Sequence, residues 1–284
     1  MATFFNQATL TYNNTTTLSN VVTGEIIGVL SATKTALSPD YTVGEDITYV
    51  ISIINNGSIP YTDLTVTDDL GTYGSGELTL TPLTYVEGSV KYFVNGVLQA
   101  PPEITALSPL TFTGIDVPAG GNVIIVYEAV ANGFAPLGVD ATITNTVTIT
   151  GEQLTASVSA EETIGTANGP MLTITKELSP VSVPENGEIR YTFVIRNMGN
   201  EEIVATDNAV ITDVFDPILD ITSVTYNGVA WEDGVNYDYD EASGRFTTRE
   251  GQITIPAATF TQDPTTGEWV VTPGTATIVV VGTV

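Results

Sequence analysis

The chain of 284 residues is long enough for two domains of ordinary size, and with 33 acidic against 7 basic residues it carries a formal net charge of −26. That surplus argues against nucleic acid or an anionic membrane as partner and describes a surface that keeps copies apart side to side. There is no Cys and no His, so disulfides and the commonest general base and metal ligand are missing, and neither a cofactor, a metal site nor enzymatic catalytic residues are expected.

The first 28 residues, MATFFNQATLTYNNTTTLSNVVTGEIIG, read as a hairpin. Phe4, Asn6, Ala8 and Leu10 alternate along one strand, a polar turn follows, and a return strand carrying Val21 and Ile26 closes on Ile27-Gly28. The stretch from Ile143 to Gly165 has the same plan, with Ile143, Asn145, Val147 and Ile149 alternating before a closing Ile164-Gly165. At Ile143 such a hairpin completes a domain; at Met1 nothing precedes it. No basic and apolar leader of signal-peptide type opens the chain, and no run approaches a membrane span.

From Leu30 onward short strands alternate with turns: LSATKTAL, DITYVISIINNG, LTVTDDLG, VKYFVNGVL with an Asn-Gly turn, LTFTGIDVPAGG and NVIIVYEAVANG, then the closing hairpin. The second half repeats the order in LTITKEL, IRYTFVIRNMG, AVITDVFDP, TYNGVAW and ATIVVVGTV. The pattern predicts an all-β protein of two tandem immunoglobulin-like β-sandwich domains, residues 29–166 and 167–284, joined by the Gly/Pro segment GTANGPM. The second repeat reaches Val284 without a closing hairpin, so residues 1–28 are expected to complete that domain in another copy. Self-complementation looks out of reach: Val29 to Thr33 extend at most ~18 Å, against ~26 Å for a strand of eight residues. A head-to-tail contact that does not close gives an open filament.

Three polar residues break otherwise apolar faces. Lys34 interrupts Leu30, Ala32 and Ala36, as Lys176 interrupts Leu172, Ile174 and Leu178. Asp68 interrupts Leu64, Val66 and Leu70, and Asp213 interrupts Ala209, Ile211 and Phe215. Asn145 and Asn6 do the same on the hairpins, so each domain would bury one Lys, one Asp and one Asn if Asn6 serves a neighbouring copy. A one-residue slip in register would exchange Asp68 for Asp69. Buried charges must pair, and a Lys–Asp ion pair with a hydrogen-bonding Asn is one arrangement. Burial also disfavours both charged forms, and a neutral amine beside a carboxamide can condense to an amide with loss of ammonia. The layout resembles the Asp-assisted Lys–Asn isopeptide sites of bacterial pilin and adhesin domains. By that resemblance Lys34, Asn145 and Asp68 would form an intramolecular bond, and Lys176, Asn6 and Asp213 an intermolecular one.

The segments KTALSPDYTVGEDITYVISIINNGSIPYTDLTVTDDLG and KELSPVSVPENGEIRYTFVIRNMGNEEIVATDNAVITDVFDP resemble the bacterial "conserved repeat" domains, immunoglobulin-like modules strung along surface proteins. The shared pattern is K-x-x-x-P, V-G-D-x-V-x-Y, N-x-G, V-T-D and a closing N-T-A-x-V strand. The second repeat departs at Pro184–Gly187 and reaches its Thr-Asp late. A two-repeat chain of this kind also resembles subunits of endospore appendages, which are assembled in the mother cell and need no signal peptide. The resemblance implies a structural subunit on the spore surface or outside the cell, with copies of itself as partners. The alternative is a surface adhesin whose ligand loop would be WEDGVNYDYDEASGRF, from Trp231 to Phe246. Asp238, Asp240 and Glu241 there could hold a cation but lack the spacing of a calcium loop.

Overall fold

The structure is a computed structural model that describes residues 2–26 and 28–284; Met1, Ile27 and the side chains of Ala2 and Ile26, the last assigned above to the donor face, lie outside the described residues. It is all-β, with one turn of 3-10 helix at Ala205–Asp207, and separates into two compact units: unit 1, Met1–Ala135 with Thr142–Gly165, and unit 2, Pro136–Ala141 with Thr166–Val284.

Unit 1 opens with two short hairpin ladders, β1 (Ala2–Asn6) on β4 (Val22–Ile26) and, between them in sequence, β2 (Thr9–Tyr12) on β3 (Thr15–Leu18). Asn13 and Asn14 turn the tip with φ of 46° and 62°, the left-handed pair that a two-residue hairpin loop requires and that Asn tolerates. There follow β5 (Leu30–Ala36), β6 (Asp40–Tyr41), β7 (Asp46–Asn55), β8 (Tyr61–Asp68), β9 (Tyr73–Ser75), β10 (Leu78–Leu80), β11 (Leu83–Tyr85), β12 (Lys91–Val94) and β13 (Val97–Gln99). The unit continues with β14 (Glu103–Leu107), β15 (Leu110–Val117), β16 (Asn122–Ala131), β17 (Thr142–Thr150) and β18 (Val158–Thr166).

One sheet runs β13-β12-β16-β7-β5, with β11 also on β16, and the other runs β14-β15-β8-β17-β18-β6. Strict alternation builds the core between them. Ile47, Tyr49, Ile51 and Ile53 of β7 and Val123, Ile125, Tyr127 and Ala129 of β16 are fully or almost fully buried, facing Leu64, Val66, Phe112, Val147 and Ile149 from the opposite sheet. The result is the expected immunoglobulin-like sandwich.

Its turns are tied down by the first Asn of the Asn-Asn-Gly run. Buried Asn55 donates through Nδ2 to the carbonyls of Ile59 (2.9 Å) and Pro118 (3.0 Å), and its Oδ1 accepts from Gly57 N at 2.9 Å. Asn55→Ala should strand those groups and cost about 2–3 kcal/mol, read as a lowered urea midpoint of the full chain; an unchanged midpoint would sink this account.

Unit 2 contains β19 (Leu172–Ser179), β20 (Glu188–Asn197), β21 (Thr212–Val214), β22 (Asp220–Tyr226), β23 (Val229–Trp231), β24 (Tyr237–Asp240), β25 (Arg245–Thr248), β26 (Thr259–Gln262), β27 (Trp269–Thr272) and β28 (Gly274–Thr283). One sheet runs β19-β20-β28-β22-β23 and the second is only β21-β25-β24, with β26 and β27 a separate hairpin. The core again lies between sheets, with Tyr191, Phe193, Ile278 and Val280 against Phe215, Tyr237 and Phe246. The smaller second sheet leaves β19 uncovered. Every residue from Leu172 to Ser179 is exposed, including the apolar face of Leu172, Ile174 and Leu178.

Candidate functional site

Lys34 faces inward because it occupies an inward step of β5, opposite Ile51, two residues beyond Ala32. It is 3% exposed, and Asp68 and Asn145 are 0% exposed. Lys34 Nζ stands 2.6 Å from Asp68 Oδ2 and 5.2 Å from the centre of the Tyr49 ring. A third group joins them. Tyr127 Oη donates to the same Asp68 Oδ2 at 2.6 Å and accepts from Asn145 Nδ2 at 3.1 Å. Asp68 Oδ1 accepts from the backbone N of Leu70 at 3.1 Å.

The four side chains therefore form one dry chain: amine, carboxylate, phenol, carboxamide. Burial is the main influence on the Lys34 amine and lowers its pKa, with Asp68 opposing. Burial likewise holds the Tyr127 phenol well above its ordinary range, reinforced by Asp68. Asn145 Oδ1 and Tyr49 Oη are buried with no hydrogen-bond partner of good geometry among the described residues. Burial raises the Tyr49 pKa as well, although the neighbouring Asn145 amide works against it. An amine biased toward neutrality and an unpartnered carboxamide carbonyl thus share one buried cluster, linked through Asp68 and Tyr127, and these are the two groups from which an amide can form.

Unit 2 has half of this site. Lys176, opposite Phe193 on β19, contacts Asp213 Oδ2, and its Nζ lies over the rings of Tyr191 (4.4 Å), Phe215 (5.3 Å) and Phe193 (5.6 Å). The pair is open to solvent, with side-chain exposures of 38% and 21%, so the expected burial of Lys176 is incomplete. The register explains why. In unit 1 the edge of β8 is covered by β17, with Val147 opposite Asp68 and Ile149 opposite Val66. In unit 2 the matching strand β21 pairs with β25, and among the described residues no strand lies on its other edge.

A groove of ≈ 340 Å³ runs there instead, walled by Leu172 and Ile174 on one side and Ala209 and Ile211 on the other, with Ile195 and Ile253 behind. Among the described residues no Asn side chain is hydrogen-bonded to this Lys–Asp pair, and Val280 holds the position that Tyr127 holds in unit 1, each being opposite the Tyr of its neighbouring strand (Tyr191 and Tyr49).

The hairpin residues Phe4, Asn6, Ala8, Leu10 and Val21 are all exposed. Phe4 lies opposite Gly24, and a Cβ there would stand 2.3 Å from its ring, so the glycine makes room for it. Asn6 pairs with Val22, whereas Asn145 pairs with Glu162. Counted from the shared Ile-Gly, the two hairpins differ in register by an odd number of residues, which reverses the face on which the return strand's alternate residues fall.

Sequence reasoning missed Tyr127 and Tyr49. Both lie on inward faces of apolar strands, where a tyrosine passes for ordinary core; the available signal was that each repeat carries a Tyr opposite this step of the sheet. Two of the acidic residues in the loop from Trp231 to Phe246 already have partners. Arg249 grips Asp238 (2.6 Å), and Asp240 accepts from Ser243 (2.6 Å) and Ala242 N (3.0 Å). Among the described residues there is no cluster that could hold a metal ion, and no helix is long and apolar enough to cross a membrane.

No family model and no curated protein matches the chain. Among solved structures, a variant of the major pilin subunit of Bacillus cereus is similar at 12% identity over 78% of this chain and 56% of its own, TM-score 0.38. The pilus backbone protein of Streptococcus pneumoniae is similar at 14% identity over 86% of this chain and 55% of its own, TM-score 0.34. A collagen-binding domain of a Staphylococcus aureus adhesin is similar at 14% identity over 50% of this chain and 99% of its own, TM-score 0.32. The chain thus spans little more than half the length of either pilin.

Proposed function

We propose that this chain is a structural subunit of an extracellular filament, a spore appendage or pilus-like fibre, that polymerises head to tail by donating residues 1–28 to unit 2 of the next copy. The observation that carries this is the apolar groove between β19 and β21. The strands that wall it also carry the Lys176–Asp213 pair, and β21 is the counterpart of the strand that unit 1 covers with its Asn-bearing β17. Placed as β17 is placed in unit 1, the donated strand sets Asn6 beside Lys176, Ala8 opposite Asp213 and Leu10 opposite Ile211. Leu10 then enters the groove lined by Leu172 and Ile174. Entry of the strand also dries the Lys176–Asp213 pair, which favours an amide between Lys176 and Asn6. In unit 1 the corresponding bond joins Lys34 to Asn145. The hairpin must shift its own register on docking, which its short ladders and exposed side chains permit.

The adhesin reading lacks a comparable observation: in the Trp231–Phe246 loop Asp238 is held by Arg249 and Asp240 by Ser243 and Ala242 N.

Leu10→Asp tests strand donation. A carboxylate in the groove has no cationic partner beside it and costs several kcal/mol, so filaments visible by electron microscopy of the purified wild type should be absent from the variant, with the monomer still folded by circular dichroism. Filaments of normal length from Leu10→Asp would show that something other than this hairpin fills the groove.

A further inference from the structure

Amide formation between Lys34 and Asn145 must expel the carboxamide nitrogen, and an amide ion does not leave without a proton. The structure holds one group on that nitrogen, the Tyr127 hydroxyl, whose other hydrogen bond runs to Asp68. We propose that Tyr127 is a catalytic residue of the Lys34–Asn145 bond, relaying a proton from the Asp68 carboxyl to the departing Nδ2 of Asn145. This rests on the reading of Lys34 and Asn145 as a bond-forming pair.

The steps balance without any further reactant. Lys34 Nζ gives a proton to Asp68 Oδ2, leaving a neutral amine and a carboxylic acid. The amine lone pair attacks Cγ of Asn145, and the carbonyl pair moves onto Oδ1. As the carbonyl re-forms, the Cγ–Nδ2 bond breaks, Tyr127 Oη gives its proton to Nδ2, and Oη takes the Asp68 carboxyl proton in exchange. The surplus proton on Nζ departs with ammonia as ammonium. Ammonium ion and carboxamide have become secondary amide and ammonium, and Asp68 is again a carboxylate.

Three features suit Tyr127 to this role. It is fully buried, so its hydroxyl has no competing water. Its ring is fixed by stacking on Tyr49, with centroids 5.5 Å apart. Its phenol resists ionisation, so it holds a proton until Asp68 can replace it. Val280, which has no hydroxyl, occupies the equivalent position in unit 2, and a bond at Lys176 would form without this relay.

The test follows ammonia loss by intact mass in newly made full-length chains, wild type beside Tyr127→Phe. Samples are drawn at timed intervals from cell-free synthesis, and rates are taken on the protease-resistant, folded fraction. Phenylalanine keeps the ring and its stacking while removing the relay. Loss of ammonia should slow by about 100-fold, the scale of general acid catalysis, and Lys34→Met should abolish it. A Phe variant that keeps pace with a reacting wild type overturns the role of Tyr127 and leaves the bond standing. A wild type that retains full mass indefinitely overturns both.

Discussion

Boiled wild-type filaments should run as a ladder on denaturing electrophoresis, and Asn6→Ala should run as a single monomer band. Alanine has no carboxamide for Lys176 to attack, so every detergent-resistant link between copies disappears. Backbone pairing of the donated strand does not depend on that side chain, and filaments should still be visible before boiling. The split between visible filaments and a lost ladder separates the covalent joint from the strand exchange. A ladder that survives in Asn6→Ala would eliminate Asn6 as the reacting residue. Monomer released from the variant should nevertheless be short by one ammonia, because Lys34 and Asn145 belong to the same chain.

The second large effect is expected at Asp68. Its two oxygens serve Lys34 Nζ, Tyr127 Oη and the backbone N of Leu70, all within 3.1 Å. Asp68→Ala leaves a buried amine and a buried phenol without their acceptor, and removing one partner of a buried ion pair costs about 3–5 kcal/mol. Unit 1 should lose at least that much stability in chemical denaturation, because the variant also forgoes the Lys34–Asn145 bond, and the chain should keep its full mass. Its neighbour is the control. Asp69 Oδ1 accepts from the backbone N of Gly71 and of Thr146, both at 2.9 Å, and touches neither Lys34 nor Asn145. Asp69→Ala should cost about 1–2 kcal/mol and still lose ammonia. The reverse pattern would move the assisting role from Asp68 to Asp69.

Strand alternation carried much of this into the sequence. Once Leu30, Ala32 and Ala36 are set on one face, Lys34 has to point inward, and the same period sends Asp68 with Leu64 and Val66 and Asn145 with Val147 and Ile149. Tyr127 stayed hidden because a tyrosine among Val, Ile and Ala reads as core, and only three-dimensional placement shows its hydroxyl between a carboxylate and a carboxamide. The exposure of Lys176 was equally illegible. Period two assigns a face to a side chain, whereas coverage of that face depends on whether another strand arrives. The hairpin register was hidden for a related reason: Asn13 and Asn14 set the tip ladder, with Tyr12 opposite Thr15, but one extra residue on the return strand shifts the outer ladder so that Asn6 meets Val22, and no residue pattern marks that slip.

Lys34 lies on β5 in one sheet and Asn145 on β17 in the other, and residues 35–144 contain most of the sandwich between them. With those two side chains joined, tension applied along the chain crosses from one sheet to the other through a single covalent bridge. The intervening segment then forms a closed loop outside the load path and cannot pay out length. Pulled from its ends, unit 1 would unravel only the residues before Lys34 and after Asn145, so its extension on stretching is set by where the bridge lies and not by how strongly the core is packed.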